Sequence, residues 1–176
     1  MKYRGELLRW GEKRRRSSMK EMVVYGIGRV EKGAEGARIA LEGKYRAGLE
    51  GLEGYGHVVV AWWMGRCDTP RDRGTLAAER PYARGPGRVG VFAMRSPERP
   101  NPIGLSVAEV AGVDASAGVV EVRWIDADEG SVVLDLKPYT PSVDRVERPV
   151  TPGWCAHWPG SVEASGGFDW AAEFNF

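Results

Sequence analysis

Cysteine and histidine are nearly missing from this chain of 176 residues, which has two of each. Cys67 and Cys155 lie far apart and form no CxxC pair, which points away from a dithiol redox motif and toward a reduced, cytoplasmic protein. A tetrahedral zinc site would need nearly all four residues, widely dispersed, so no metal is expected. No apolar run approaches the ~20 residues of a membrane span, and the basic N-terminus lacks the apolar stretch of a secretory signal. No membrane partner is therefore expected. Nucleotide fingerprints are missing too. "GIGRVEKG" at 26–33 displaces the third glycine of GxGxxG and no convincing helix follows, and there is no GK[ST] of a P-loop. "GWCAHW" puts Cys155 and His157 two apart with no third catalytic group beside them in the sequence, and packing is the better reading than a nucleophile and its base.

Net charge is also nearly absent, at +1, but its distribution is uneven. Residues 66–99 hold eight arginines (66, 71, 73, 80, 84, 88, 95 and 99) against four acids. Residues 121–136 hold five acids (121, 126, 128, 129 and 135) against Arg123. Such segregation suits a phosphate-bearing partner on one side and a cationic group on the other, or a solvated face with internal ion pairs. Nineteen of the 25 basic residues are arginine, whose fork matches phosphate and carboxylate better than lysine does.

What is present is β-structure. Strands are expected at 22–30, 37–43, 57–64, 88–94, 103–113, 118–125 and 131–139, from alternating or continuous apolar runs bounded by glycine. "HVVVAWWM" at 57–64 is apolar enough to be covered on both faces. Residues 45–55 suggest a weak helical turn, and 67–87 a long functional or mobile loop. Hardly any useful helix remains, which favours a mainly β barrel or sandwich. Residues 1–21 read as a charged N-terminal extension, and Met19 and Met22 leave room for a later start. Residues 22–146 form the main domain. Residues 147–176 form an aromatic-rich tail that must be buried on the barrel or on a partner chain.

Two stretches carry chemistry. In "VFAMRSPERPNPIGLSVAEV" (91–110), Pro97, Pro100 and Pro102 fix φ and stiffen the loop. Arg95, Arg99 and Asn101 are then held without later entropy loss, as a binding site requires. In "WIDADEGSVVLDLKPY" (124–139), Asp126 and Asp128 can meet ribose hydroxyls or a cation, or simply make a turn. Asp135 and Lys137 share a strand face and can simply pair.

With both stretches in view, the chain resembles the TrmO/YaeB family of S-adenosylmethionine-dependent methyltransferases over roughly residues 23–146. The resemblance rests on "GLEGLEGYGHVVVAWW", "RVGVFAMRSPERPNPIGLS" and "IDADEGSVVLDLKPYTP". It implies a small β-barrel of about six to eight short strands, with few short helices and an extended C-terminal tail. It implies S-adenosylmethionine as cofactor and N6-methylation of threonylcarbamoyl-adenosine at position 37 of tRNA, in the anticodon loop next to the anticodon. It also implies a homodimer with its active site near the subunit interface. Carried over by position, cofactor contacts fall on Gly65, Arg66, Arg95, Leu105, Arg123, Trp124, Ile125 and Asp126. Arg99, Asn101, Lys137 and Tyr139 are expected to meet substrate, and Asp126 and Asp135 are the candidate catalytic bases. The chain departs from the family pattern in three places. Gly65 stands where histidine is usual, an "RQPG"-like loop has no counterpart between Arg29 and Arg38, and "EGSV" replaces "DGTP". The alternatives are a small-molecule methyltransferase and a non-catalytic RNA- or partner-binding barrel.

Overall fold

A computed structural model describes residues 22–34 and 36–175; the expectation for residues 1–21 lies outside the described part. Eight strands form: β1 (Gly28–Gly33), β2 (Gly36–Leu41), β3 (His57–Trp63), β4 (Ala77–Glu79), β5 (Arg88–Gly90), β6 (Ile103–Asp114), β7 (Val119–Val122) and β8 (Val132–Pro138). Six of them close a barrel in the order β1–β2–β7–β6–β3–β8, every neighbouring pair antiparallel. The mainly β, barrel expectation is therefore met, and the helices are short, the longest being the 3-10 helix Gly43–Leu49.

The barrel fills because its strands alternate. Val30, Ile39, Val58, Val60, Val120 and Val133 point inward and are fully buried. Each such side chain contributes roughly 1.5–3 kcal/mol by leaving water. Bulges between Ala61 and Trp62, and between Val110 and Gly112, turn the corners that closure requires. Gly28 sits where β1 crosses β2 closely, and a Cβ there would overlap the Ala40 carbonyl.

Three strand expectations need correction. Residues 22–27 are not strand; the ladder starts at Gly28, and Met22 to Tyr25 are exposed. Their apolar run misled because only Ile27 reaches a ladder partner, donating to the Val133 carbonyl at 2.8 Å. β3 is covered on one face rather than two, with His57, Val59, Ala61 and Trp63 half-buried between core residues. The strand expected at 88–94 stops at Gly90, and Val91–Ala93 turns into a 3-10 helix.

A second, smaller core lies beside the barrel. β4 and β5 form a hairpin whose Tyr82, Val89, Val91 and Met94 pack with Trp154, Trp158 and Phe174 of the tail. Tyr82 stacks on Trp154 at 4.9 Å, and Trp158 meets Trp170 edge-on at 5.4 Å. Inside this cluster Glu173, 4% exposed, pairs with His157 Nε2 at 2.9 Å. The His157 hydrogen bond, with a lesser share from the nearby Trp158 indole, holds the Glu173 carboxyl below the usual glutamate range. The folded state therefore favours the carboxylate. Its stabilising share is present above about pH 4.3 and is lost as pH falls through the lowered folded value. We expect near-UV circular dichroism of the tail tryptophans to weaken below about pH 4, before the barrel's far-UV signal does, and Glu173→Gln to remove that early step.

Candidate functional site

The proline-rich stretch and the acidic turn meet at one mouth of the barrel, around a cleft of about 220 Å³. Its floor is Trp62, the last inward residue of β3, whose indole donates to Ser106 Oγ at 3.1 Å. Gly104 pairs with Trp62 across the β3–β6 ladder, and the ring lies so close that a Cβ there would overlap it. Met64, Ile103 and Leu105 add apolar wall.

The loop from Arg95 to Pro102 is braced at both ends. Arg95 Nη2 donates to the Leu105 carbonyl at 2.9 Å, so the two ends of the proline stretch are directly joined. The Met64 amide donates to the Pro102 carbonyl at 2.8 Å, tying the loop to β3. Arg99 Nη2 donates to the Met94 carbonyl at 2.6 Å and to that of Val91, gripping the 3-10 turn from within. Arg99 Nε is buried in the wall without a hydrogen-bond partner. Behind the loop, Arg73 donates to the Pro100 carbonyl at 3.3 Å and pairs with Asp68. Asp68 also accepts from the Trp63 indole at 3.0 Å. Arg73, then Trp63, holds the Asp68 carboxyl below its usual range.

The opposite wall is the acidic turn, hung on β1. Lys32 Nζ donates to the Ile125 carbonyl at 2.9 Å, Arg29 to that of Gly130 at 3.1 Å, and the Gly130 amide to Val30 at 2.8 Å. Asp126 reaches the cleft from this turn with no ion-pair partner among the described residues. Asp128 is drawn instead toward Arg66, 3.3 Å away.

Of the residues expected to hold cofactor, Arg95, Leu105 and Asp126 line the cleft, and Arg99, expected on substrate, lines it too. Ile125 is core, Trp124 is exposed, and Arg123 is pulled to Glu109 at 2.9 Å. Gly65 and Arg66 lie in the 3-10 turn Gly65–Cys67 after β3. Asp135 and Lys137 form the ion pair their spacing allows, at 2.7 Å, and the hydrogen bond that Lys137 donates to Asp135 raises the Lys137 pKa. Asp135 lines a different hollow of about 340 Å³, with Tyr45, Leu49 and Tyr55. The structure does not bring Asp126 and Asp135 into one cleft. Tyr139 lies edge-on to His57 at 6.2 Å, and Asn101 is exposed on the loop. Met64 and Ile103 were not foreseen. Met64 follows Trp62 by two residues and so continues its side of β3, a signal hidden when the strand is read as apolar on both faces.

Residues 26–145 match the model of the tRNA-methyltransferase O N-terminal domain. The chain belongs to this family. It is 38% identical over 112 residues to an S-adenosyl-L-methionine-binding protein of Archaeoglobus fulgidus, covering 64% of this chain and 75% of that protein. It is 38% identical over 96 residues to a tRNA (adenine(37)-N6)-methyltransferase of Eikenella corrodens, covering 54% and 52%. A crystal structure of TrmO from Pseudomonas aeruginosa superimposes with a TM-score of 0.57 at 26% identity, over 74% of this chain. The chain spans 62% of that solved structure's length.

Gly104→Ala should force the Trp62 ring out of its seat and cost about 1–3 kcal/mol as an overpacking change. Urea unfolding together with a shift in tryptophan emission would register both effects; an unchanged midpoint would show that the indole has room to move.

Proposed function

We propose that the chain binds S-adenosylmethionine in the cleft between the proline loop and the acidic turn. We propose further that it methylates N6 of threonylcarbamoyl-adenosine at position 37 of tRNA. The observation that carries the reading is charge of both signs on facing walls, with a buried, unpartnered Arg99 Nε–H in one of them. S-adenosylmethionine presents a carboxylate, a ribose diol, an aromatic base and a sulfonium. Arg95 and Arg99 suit the carboxylate or a base nitrogen. Asp126 suits the ribose hydroxyls or the amino group, and Trp62, Met64 and Leu105 supply apolar surface for the base.

When bound, the cofactor supplies an electrophilic methyl group, and no covalent enzyme intermediate is required. The chain's own work is then positioning and exclusion of water, both favoured by a wall whose groups are already held. The acceptor nitrogen is a poor nucleophile because its lone pair is delocalised, so Asp126, the unpaired carboxylate at the cleft, is the base we favour. Phe92, Leu105 and Trp124 are 87%, 56% and 63% exposed, an apolar set that supports a homodimer closing over the site. The arginines of 66–99 support tRNA as the acceptor, through phosphate contacts that weaken with salt.

A small-molecule acceptor is the second reading, favoured by relatives whose names stop at cofactor binding. Mass spectrometry of tRNA nucleosides, before and after incubation with protein and S-adenosylmethionine, decides between the two. A new methyl on threonylcarbamoyl-adenosine supports the first, and cofactor turnover without any tRNA change supports the second. Arg95→Ala should raise the cofactor Kd by about 10–100-fold, as loss of a charged hydrogen bond does, with a small change in Tm. Titration calorimetry beside thermal melts measures both; a collapsed Tm would make Arg95 architectural.

A further inference from the structure

The β4–β5 hairpin ends in a loop, residues 80–87, none of which lines the cleft, yet it is built to an unusual degree. Arg80 opens it at φ 46°, a left-handed conformation uncommon for a residue with a side chain. Something must hold it there, and the C-terminal tail does. The Asn175 amide nitrogen of the side chain donates to the Arg80 carbonyl at 2.8 Å, and its backbone amide to that of Pro81 at 3.1 Å. The Ala83 amide donates to the Glu173 carbonyl at 2.9 Å, and Tyr82 bridges Phe174 as a β pair. Tyr82 is the buried anchor of the loop, enclosed by tail tryptophans.

What this bracing displays is positive charge. Arg80 and Arg84 are exposed and have no ion-pair partner among the described residues, whereas Arg88 pairs with Glu79 at 3.4 Å. Arg84 lies near enough to Glu173 to help lower its pKa, without pairing with it. The loop is also coupled to the cleft. β5 runs from it to Val91, whose side chain is buried in the tail cluster and whose carbonyl is gripped by Arg99 in the cleft wall. Two exposed guanidiniums on a pre-ordered loop meet a phosphate backbone with no backbone-ordering cost.

We propose that residues 80–87 are an RNA-docking loop and that the aromatic tail is the brace that presents it, registering the RNA backbone against the cofactor cleft. This rests on the tRNA reading above and names an element that serves it.

The test uses the whole chain, bulk tRNA as probe, and fluorescence anisotropy at several salt concentrations between about 50 and 200 mM. The double variant Arg80→Gln/Arg84→Gln should weaken tRNA binding about tenfold or more. It should also lower the slope of log affinity against log salt by about 1.4–1.8, the loss of two phosphate contacts. Cofactor affinity by calorimetry should not change. Asn175→Ala, which leaves both arginines in place, should also weaken tRNA binding, by at least about threefold, or roughly 0.65 kcal/mol. If wild type binds and methylates tRNA while the double variant keeps its affinity and slope, the docking loop is refuted and the methyltransferase reading stands. If Asn175→Ala binds as wild type does, the brace is refuted. If the double variant instead changes the mass of the free protein in sedimentation, the loop joins copies of the chain and the proposal fails. If wild type neither binds nor modifies tRNA, the acceptor reading and this inference fall together.

Discussion

Closure of the barrel between β1 and β8 is the constraint on which the site depends. The seam is short, pairing Gly28 with Val133 and Arg29 with Val132. It is extended by the Ile27 and Val30 amides, which donate to the carbonyls of Val133 and Ser131. The same stretch of β1 carries Arg29 and Lys32, which hold the carbonyls of the acidic turn. The strand that shuts the barrel is thus also the hanger for Asp126. Without the seam the acidic wall would have no defined place relative to the proline loop, which is anchored to β3 and β6 on the far side of β8.

The two arginines of the proline motif divide the labour. Arg99 is turned inward, and its guanidinium donates to the Met94 carbonyl and adds a second donor to the Val91 carbonyl, which already accepts from the Met94 amide. Arg95 is turned outward and uses one nitrogen to lock the loop's ends, leaving the rest of its fork to the cleft. The three prolines then stiffen a loop whose endpoints are already joined, so the entropy of the unbound site is low before any ligand arrives. Rigidity here comes from both chain chemistry and side-chain grip.

The sequence announced the barrel through alternation in 37–43 and 118–125, where inward and outward residues differ sharply in polarity. It misjudged 57–64 and 22–30 because apolar residues there serve the half-covered outer face or no ladder at all, and hydropathy alone does not separate those cases from core. Arg95 and Leu105 were placed at the site by the family resemblance; the hydrogen bond that joins them across the stiff turn was not foreseen. Nor was the separation of Asp126 from Asp135. It depends on a bulge in the β3–β8 ladder and on which hollow each strand end faces, and both are set by closure rather than by spacing. The tail's task was likewise only half legible. Its aromatics demanded burial, but nothing local named the Tyr82 hairpin as the place.

The glycine seated against the Trp62 indole has a consequence for how this cleft can change over generations. The floor is made of two residues that occupy each other's space, so neither can vary alone, and depth is frozen as a matched pair. The lips, Ile103 and Leu105, project on the other side of the same strand and are partly open to solvent. Variation among relatives in what they accept should therefore accumulate along the rim, leaving one inherited floor beneath many different entrances.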